Sequence, residues 1–180
     1  MATKRRARKS KTPQRSAAQV ISPCLWFDSE AEEAARFYVG VFKKSKLGPI
    51  TRYPAVGQEI HGRAAGSVMT AEFTLNGLPF LALNGGPIFK FTEAVSMQVL
   101  CNDQAEIDYY WERLGAGGDP KARQCGWLKD KFGLSWQIVP KGMAKMMNGP
   151  NRKATERAFA AMMEMKKIDI AALKAAAKGP

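Results

Sequence analysis

Gly126-Trp-Leu-Lys-Asp-Lys-Phe-Gly-Leu-Ser-Trp-Gln-Ile-Val139 reads as strand, tight turn, strand. Trp127 and Leu128 end one strand, Asp130 to Gly133 turn the chain, and Leu134 to Val139 return it. Gly133 can supply the positive φ that a tight hairpin often requires. A period of two puts Leu134, Trp136 and Ile138 on one face and Ser135, Gln137 and Val139 on the other. Neither face carries a charge. Such a strand suits the wall of a cupped sheet lining a ligand cavity. It equally suits a plain core hairpin in which Gln137 bonds to backbone.

Upstream of this hairpin one pattern occurs twice. Val20 to Phe27 is a short apolar run holding Pro23, which predicts an edge or bulged strand. Asp28 and Ser29 offer caps for a helix running to about Phe42, and Glu30, Glu32 and Glu33 suit the positive end of its dipole. Ala34, Phe37, Tyr38 and Val41 have the spacing of one buried stripe. A strand over Leu47–Tyr53 precedes a glycine-rich loop, Pro54 to Gly66, with the only histidine, His61. Ser67–Leu75 and Leu78–Leu83 then flank Asn76-Gly77, a strong hairpin signal. The order restarts with a strand over Ala94–Cys101, a cap at Asn102/Asp103, and a helix from Gln104 to Leu114. Its stripe is Ile107, Tyr110, Trp111 and Leu114, each 73 positions beyond its counterpart. A short strand near Ala122–Leu128 leads back to the hairpin, so strand–helix–strands forms an internal repeat.

After Pro140 the strand signals stop. Gly142–Asn148 has room for one or two helical turns, and Gly149-Pro150 breaks them. Asn151 to Lys166 predicts a helix with Ala158, Phe159, Met162, Met163 and Lys166 along one stripe. Asp169 caps a last piece to Ala177, with Ile170 and Leu173 on one face. The Met-rich stripe suits packing against the domain or a dimer mate, and also an adaptable binding surface.

The chain has 180 residues, enough for one domain or two small, intimately packed halves, and a net charge of +12. That charge is unevenly placed: residues 1–19 carry +7, residues 140–180 carry +6, and the stretch between is −1. The basic tail, 1–19, is expected to be disordered and to attract polyanions only weakly. Without an aromatic-studded basic sheet or recognition helix, the domain is not read as a nucleic-acid binder. No apolar run approaches the ~20 residues of a membrane span, and no apolar segment follows the basic N-terminus as a secretory signal would require. Three cysteines, Cys24, Cys101 and Cys125, are odd in number and far apart, which predicts free thiols in a reducing cytoplasm.

Seven stretches, in order, carry a family resemblance. They are Ile21-Ser-Pro-Cys-Leu-Trp-Phe-Asp28, Ala31-Glu-Glu-Ala-Ala-Arg-Phe-Tyr38, Leu81-Ala-Leu-Asn-Gly-Gly86, Phe89-Lys-Phe-Thr92, Asp108-Tyr-Tyr-Trp111, Gly126-Trp-Leu-Lys-Asp-Lys-Phe-Gly133 and Ser135-Trp-Gln-Ile-Val-Pro140. Together, with Met165-Lys-Lys-Ile-Asp-Ile-Ala-Ala-Leu173, the chain resembles the PhnB-like branch of the glyoxalase/bleomycin-resistance/extradiol-dioxygenase proteins, the vicinal oxygen chelate superfamily. The resemblance covers about residues 20–175. It implies an α+β, glyoxalase-like fold: two βαβββ modules over 20–140 forming a cupped sheet, then a helical extension over 141–180. It also implies a homodimer. Members are often labelled 3-demethylubiquinone-9 3-methyltransferase, yet this chain lacks the glycine-rich strand-to-helix loop of a Rossmann methyltransferase.

In metal-dependent relatives, four inward-facing His or carboxylate side chains hold a divalent ion. They come from the first and last strands of each half, positions that fall here at about Ser22, Ala82, Ser96 and Gln137. None is a carboxylate or imidazole, and a first-row metal site needs about three such ligands or Cys. Neither metal nor cofactor is therefore expected. Strand parity predicts a cup lined by Ser22, Cys24 and Trp26, by Phe80, Ala82 and Asn84, by Ser96 and Gln98, and by Gln137. That mixture of apolar groups, amides and hydroxyls is usual for a small-molecule pocket. Asp130 is the nearest acid or base, or else a turn-stabilising acceptor. Cys24 has no base in view. The reading is a dimeric protein binding a small, partly apolar molecule without metal. One alternative is a lyase, isomerase or dioxygenase of the same fold; another is an interaction protein tethered by its basic tail.

Overall fold

The computed structural model describes residues 21–179, so the basic tail lies outside the described residues. Asn76 and Gly77 adopt φ of 49° and 87°, joining β3 (Val68–Leu75) to β4 (Leu78–Asn84) as the Asn-Gly signal predicts. The second hairpin joins β6 (Trp127–Lys129) to β7 (Ser135–Pro140), with Gly133 at φ 86°. The first module adds β1 (Cys24–Phe27), α1 (Ala31–Val41) and β2 (Lys46–Arg52), with a short α2 (Gln58–His61) in the glycine-rich loop. The second opens with β5 (Ser96–Cys101) and α3 (Gln104–Gly115). The two helical stripes repeat in burial as well as in spacing. Ala34, Tyr38 and Val41 are buried, as are Ile107, Trp111 and Leu114, while Phe37 and Tyr110 are partly buried against the same core.

Each module pairs its first strand in parallel with its last, Leu25 beside Ala82 and Gln98 beside Gln137. The first sheet has the order β1-β4-β3-β2, but the second has three strands, β5-β7-β6. The strand expected near Ala122–Leu128 forms only at its end, as β6; before it Pro120–Ala122 is a 3-10 turn and an isolated bridge joins Gln124 to Trp127. Proline lacks the N–H that a ladder needs. The second sheet therefore gains no further strand beside β6, and the two sheets are separate.

The helix-side faces share an aromatic core. Tyr38 of α1 lies 6.1 Å from Phe73 of its own sheet and 5.5 Å from Trp136 of β7. Phe42 stacks on Tyr110 at 5.1 Å and on Trp136 at 5.4 Å. The hydroxyl of Tyr109 donates to the Val41 carbonyl at 2.9 Å. On the other side of the sheets, Cys24, Glu72, Gln98 and Leu100 are exposed, Leu100 by 52%.

Beyond β7 come α4 (Met143–Met147), α5 (Arg152–Met163) and α6 (Ile170–Lys178). Asn151 caps α5 through the Ala154 N–H at 3.1 Å, and Asp169 caps α6 through the Ala172 N–H at 2.9 Å. Helix α5 stops three residues short of the expected Lys166. The carbonyls of Met165 and Lys166 instead accept from the Cys125 and Gly126 N–H groups at 2.7 and 2.8 Å, tying the extension to the start of the hairpin. Phe159 and Met163 stay 50% and 44% exposed.

Candidate functional site

The face of β5 and β7 away from the helices holds a row of neutral polar side chains. Gln98 and Gln137 are neighbours in register. Gln137 Nε2 donates to Ser96 Oγ at 2.8 Å, and Gln98 Nε2 lies 3.4 Å from Gln137 Oε1. Gln98 is exposed, and Ser96 and Gln137 are half-buried. Trp127 sits directly opposite Gln137 across the hairpin, and Lys129 opposite Ser135, so both share this face. The Lys129 ammonium is neutralised by Glu93 at 2.6 Å. The second module thus brings Ser96, Gln98 and Gln137 together as expected from parity.

The first module divides the expected set. Cys24 and Trp26 lie opposite Leu81 and Leu83 in the parallel pair, on the face away from α1. Trp26 bends over the following turn, donating from Nε1 to the Gly86 carbonyl at 2.8 Å, with Phe89 edge-on at 5.0 Å. Phe80, Ala82 and Asn84 point the other way and are buried in the core, which corrects the expectation that they line the cup. Asn84 explains why Asp28 and Ser29 cap nothing. Its Oδ1 accepts from the first helical N–H, Ala31, at 2.7 Å, and its Nδ2 donates to the Val68 carbonyl at 3.0 Å. Glu30 takes the N-cap position without a side-chain bond. Ser22 is exposed and precedes β1. Leu81, Leu83, Trp127 and Ser135 are the face residues that the sequence reading left out. Ser135 had a usable signal, its parity with Gln137.

Asp130 is no surface acid. It is 2% exposed. Its Oδ2 accepts from Tyr38 OH and Trp136 Nε1, each at 2.8 Å, and its Oδ1 from the Phe132 and Leu134 N–H groups at 2.9 and 3.1 Å. Burial pushes its carboxyl above the ordinary range, against the pull of these four donors. Burial first, then the Asp130 charge, holds the Tyr38 hydroxyl well above its usual value. The group ties α1 to the hairpin and does not face a solvent-open site.

The thiols differ sharply. Cys24 is exposed, Cys125 intermediate and Cys101 buried. Burial, then the Glu106 and Asp103 charges, pushes Cys101 up to about 12, and partial burial also raises Cys24. A raised thiol is a poor nucleophile at neutral pH. Access decides between them: iodoacetamide should modify the exposed Cys24 and the half-buried Cys125 in the folded protein and Cys101 only after unfolding, as read by peptide mass spectrometry. Native labelling of Cys101 would contradict its burial beneath α3.

The four positions that correspond to metal ligands do not fit a first-row ion. Ser22 lies outside β1, Ala82 is in the core, and Ser96 and Gln137 are neutral groups bonded to each other. Among the described residues, no three His, Cys, Asp or Glu side chains converge.

Two strand–helix–strand modules that share one core and keep a neutral polar face on the second sheet define a glyoxalase-like α+β protein. Residues 19–139 match the family described as 3-demethylubiquinone-9 3-methyltransferase, and the chain belongs to that PhnB-like family. Among solved structures it is similar to a putative 3-demethylubiquinone-9 3-methyltransferase, PhnB protein, from Bacillus cereus. The two are 36% identical, over 67% of this chain and 99% of that one, with a TM-score of 0.57. A protein from Pseudomonas aeruginosa shares the fold at 19% identity, over 68% of this chain and 98% of that one, with a TM-score of 0.52. A looser likeness, 16% identity and a TM-score of 0.42 over 69% and 93% of the two chains, is to a glyoxylase/bleomycin resistance protein/dioxygenase domain from Frankia sp. EAN1pec. No curated protein matches.

Proposed function

We propose that this chain binds a small, neutral, partly apolar molecule against Ser96, Gln98 and Gln137, with no divalent ion between protein and ligand. One observation carries the reading: an amide–hydroxyl–amide row in which Gln98 is exposed and Ser96 and Gln137 are half-buried, on the sheet face away from α1 and α3. An amide both donates and accepts, so the row can orient a carbonyl, hydroxyl or amide without requiring charge on the ligand. Cys24, Trp26, Leu81 and Leu83 on the other sheet supply a more apolar wall. The two faces belong to separate sheets, and a second copy of the chain closes the cup over them. The methyl transfer in the family's description would need a cofactor site. Between β1 and α1 stands Asp28-Ser-Glu30, not the glycine-rich strand-to-helix loop that a Rossmann methyltransferase uses for its cofactor. Free thiols fit a reducing, cytoplasmic setting; no helix among the described residues is long and apolar enough to cross a membrane.

Two measurements test this. Protein purified without chelator should carry well under one equivalent of Zn, Ni, Mn or Fe, and added metal should leave the melting temperature unchanged; a stoichiometric ion would overturn the metal-free reading. Sedimentation should show a dimer that Phe159→Glu weakens, because Phe159 stays half exposed on α5. A variant still dimeric at micromolar concentration would remove α5 from the interface.

A further inference from the structure

At the end of the same sheet face, beneath the C-terminal end of α5, a cavity of about 480 Å³ opens. Cys125, Trp127, Ser135 and Met163 are in its wall, with Lys129 and Glu93 at one side. Three facts about the wall determine what it suits. Ser135 is 1% exposed, and its Oγ has no hydrogen-bond partner among the described residues. A buried hydroxyl in that condition costs free energy unless something bonds to it. The two charged groups in the wall are paired with each other at 2.6 Å, so the cavity offers no free charge to an ion. Apart from the Gln124 amide, the remaining wall is apolar or soft, with the Trp127 indole, Leu128, and Cys125 Sγ 3.9 Å from Met163 Sδ; soft, polarizable groups of this kind pack well against rings.

We infer that this cavity takes a neutral, monocyclic or similarly compact apolar molecule through one carbonyl or hydroxyl oxygen that bonds Ser135. The inference rests on the reading of the β5–β7 face as a binding face, and places the ligand's polar end at Ser135, two residues along β7 from Gln137. The hydroxyl can turn to donate to a carbonyl or accept from an alcohol. A ligand seated there also covers Cys125, which gives the cavity its own reporter.

Acetophenone and its hydrocarbon counterpart ethylbenzene are the probes, and the full-length protein is the sample. Acetophenone should slow iodoacetamide modification of Cys125 at least about fivefold near saturation and leave Cys24 unchanged, read peptide by peptide. Ser135→Ala should weaken acetophenone about fivefold, the worth of one net hydrogen bond. It should leave ethylbenzene within about twofold, and the unliganded variant should melt no lower than wild type, because an unpartnered hydroxyl has been removed. Equal acetophenone affinity in the variant overturns the role of Ser135. Absence of Cys125 protection up to the solubility of acetophenone overturns the site, and this readout needs only the wild-type chain. Cys125 already unreactive without probe means that protein fills the cavity itself, which also overturns it. Protection of Cys24 alone removes this cavity and keeps the wider cup; protection of neither thiol removes this inference, while the cup reading then stands or falls on its metal and crystallographic tests.

Discussion

Asp130→Ala is expected to destabilise the protein by about 4 kcal/mol or more, a large part of the 5–15 kcal/mol of an ordinary domain. The substitution strands four donors at once: Tyr38 OH, Trp136 Nε1 and the N–H groups of Phe132 and Leu134. Each buried donor left without a partner costs about 1–3 kcal/mol, and the costs do not simply add, because all four share one acceptor. The same side chain both closes the hairpin turn and reaches across to α1, so turn and module interface loosen together. Denaturant unfolding checks it; a loss below about 1 kcal/mol would mean that water replaces the carboxylate. The pH dependence has a definite sign. Burial raises the folded carboxyl's pKa, so its contribution is fully present below the unfolded pKa and declines as pH rises through the folded one. The stability gap between wild type and Asp130→Asn should narrow as pH rises through that window.

Gly118→Ala should cost about 1–3 kcal/mol through overpacking, a fall in Tm of roughly 2–12 °C at this chain length. A Cβ at Gly118 would land on the carbonyl oxygen of Lys129 and 2.9 Å from its carbon. Lys129 is held in β6, so backbone must move on one side or the other. Gly40 is the control. It lies inside α1, where an added methyl would meet nothing within 4 Å, and Gly40→Ala should stabilise by roughly 0.5–1 kcal/mol through helix propensity. Equal melting temperatures for the two variants would contradict the close crossing at Gly118.

What could be read from the sequence follows from which residues carry phase information. The two helical stripes 73 residues apart, the Asn76-Gly77 turn and the Asp130–Gly133 turn all combine a sharp apolar pattern with turn chemistry, and each has its structural counterpart. In β7 the polar residues Ser135 and Gln137 alternate with large apolar ones, so the face of Gln137 was legible. In β4 every residue from Leu78 to Leu83 is apolar. A run without polar residues has no phase, and a one-residue slip moved Phe80, Ala82 and Asn84 to the wrong face. Asn84 misled further because its role, capping a helix 53 positions earlier in the chain, is a tertiary contact. The strand expected near Ala122–Leu128 is cut down to β6 for a local reason: Gly117-Gly118-Asp119-Pro120 and the 3-10 turn after it use up the start of that stretch before a ladder can form. Cavity walls built from Met163 and Cys125 join residues 38 positions apart, beyond the reach of any spacing rule.

The most direct test of the account is a crystal structure of the full chain from freshly purified protein, soaked with a neutral carbonyl compound such as acetophenone. The predicted result is non-protein density on the β5–β7 face within hydrogen-bonding distance of the Gln137 amide or the Ser135 hydroxyl, enclosed by a second copy of the chain. An ion held at the ~2.0–2.2 Å of metal–ligand bonds by Ser96 and Gln137 would contradict it, as would a face packed shut against protein with no space for a ligand.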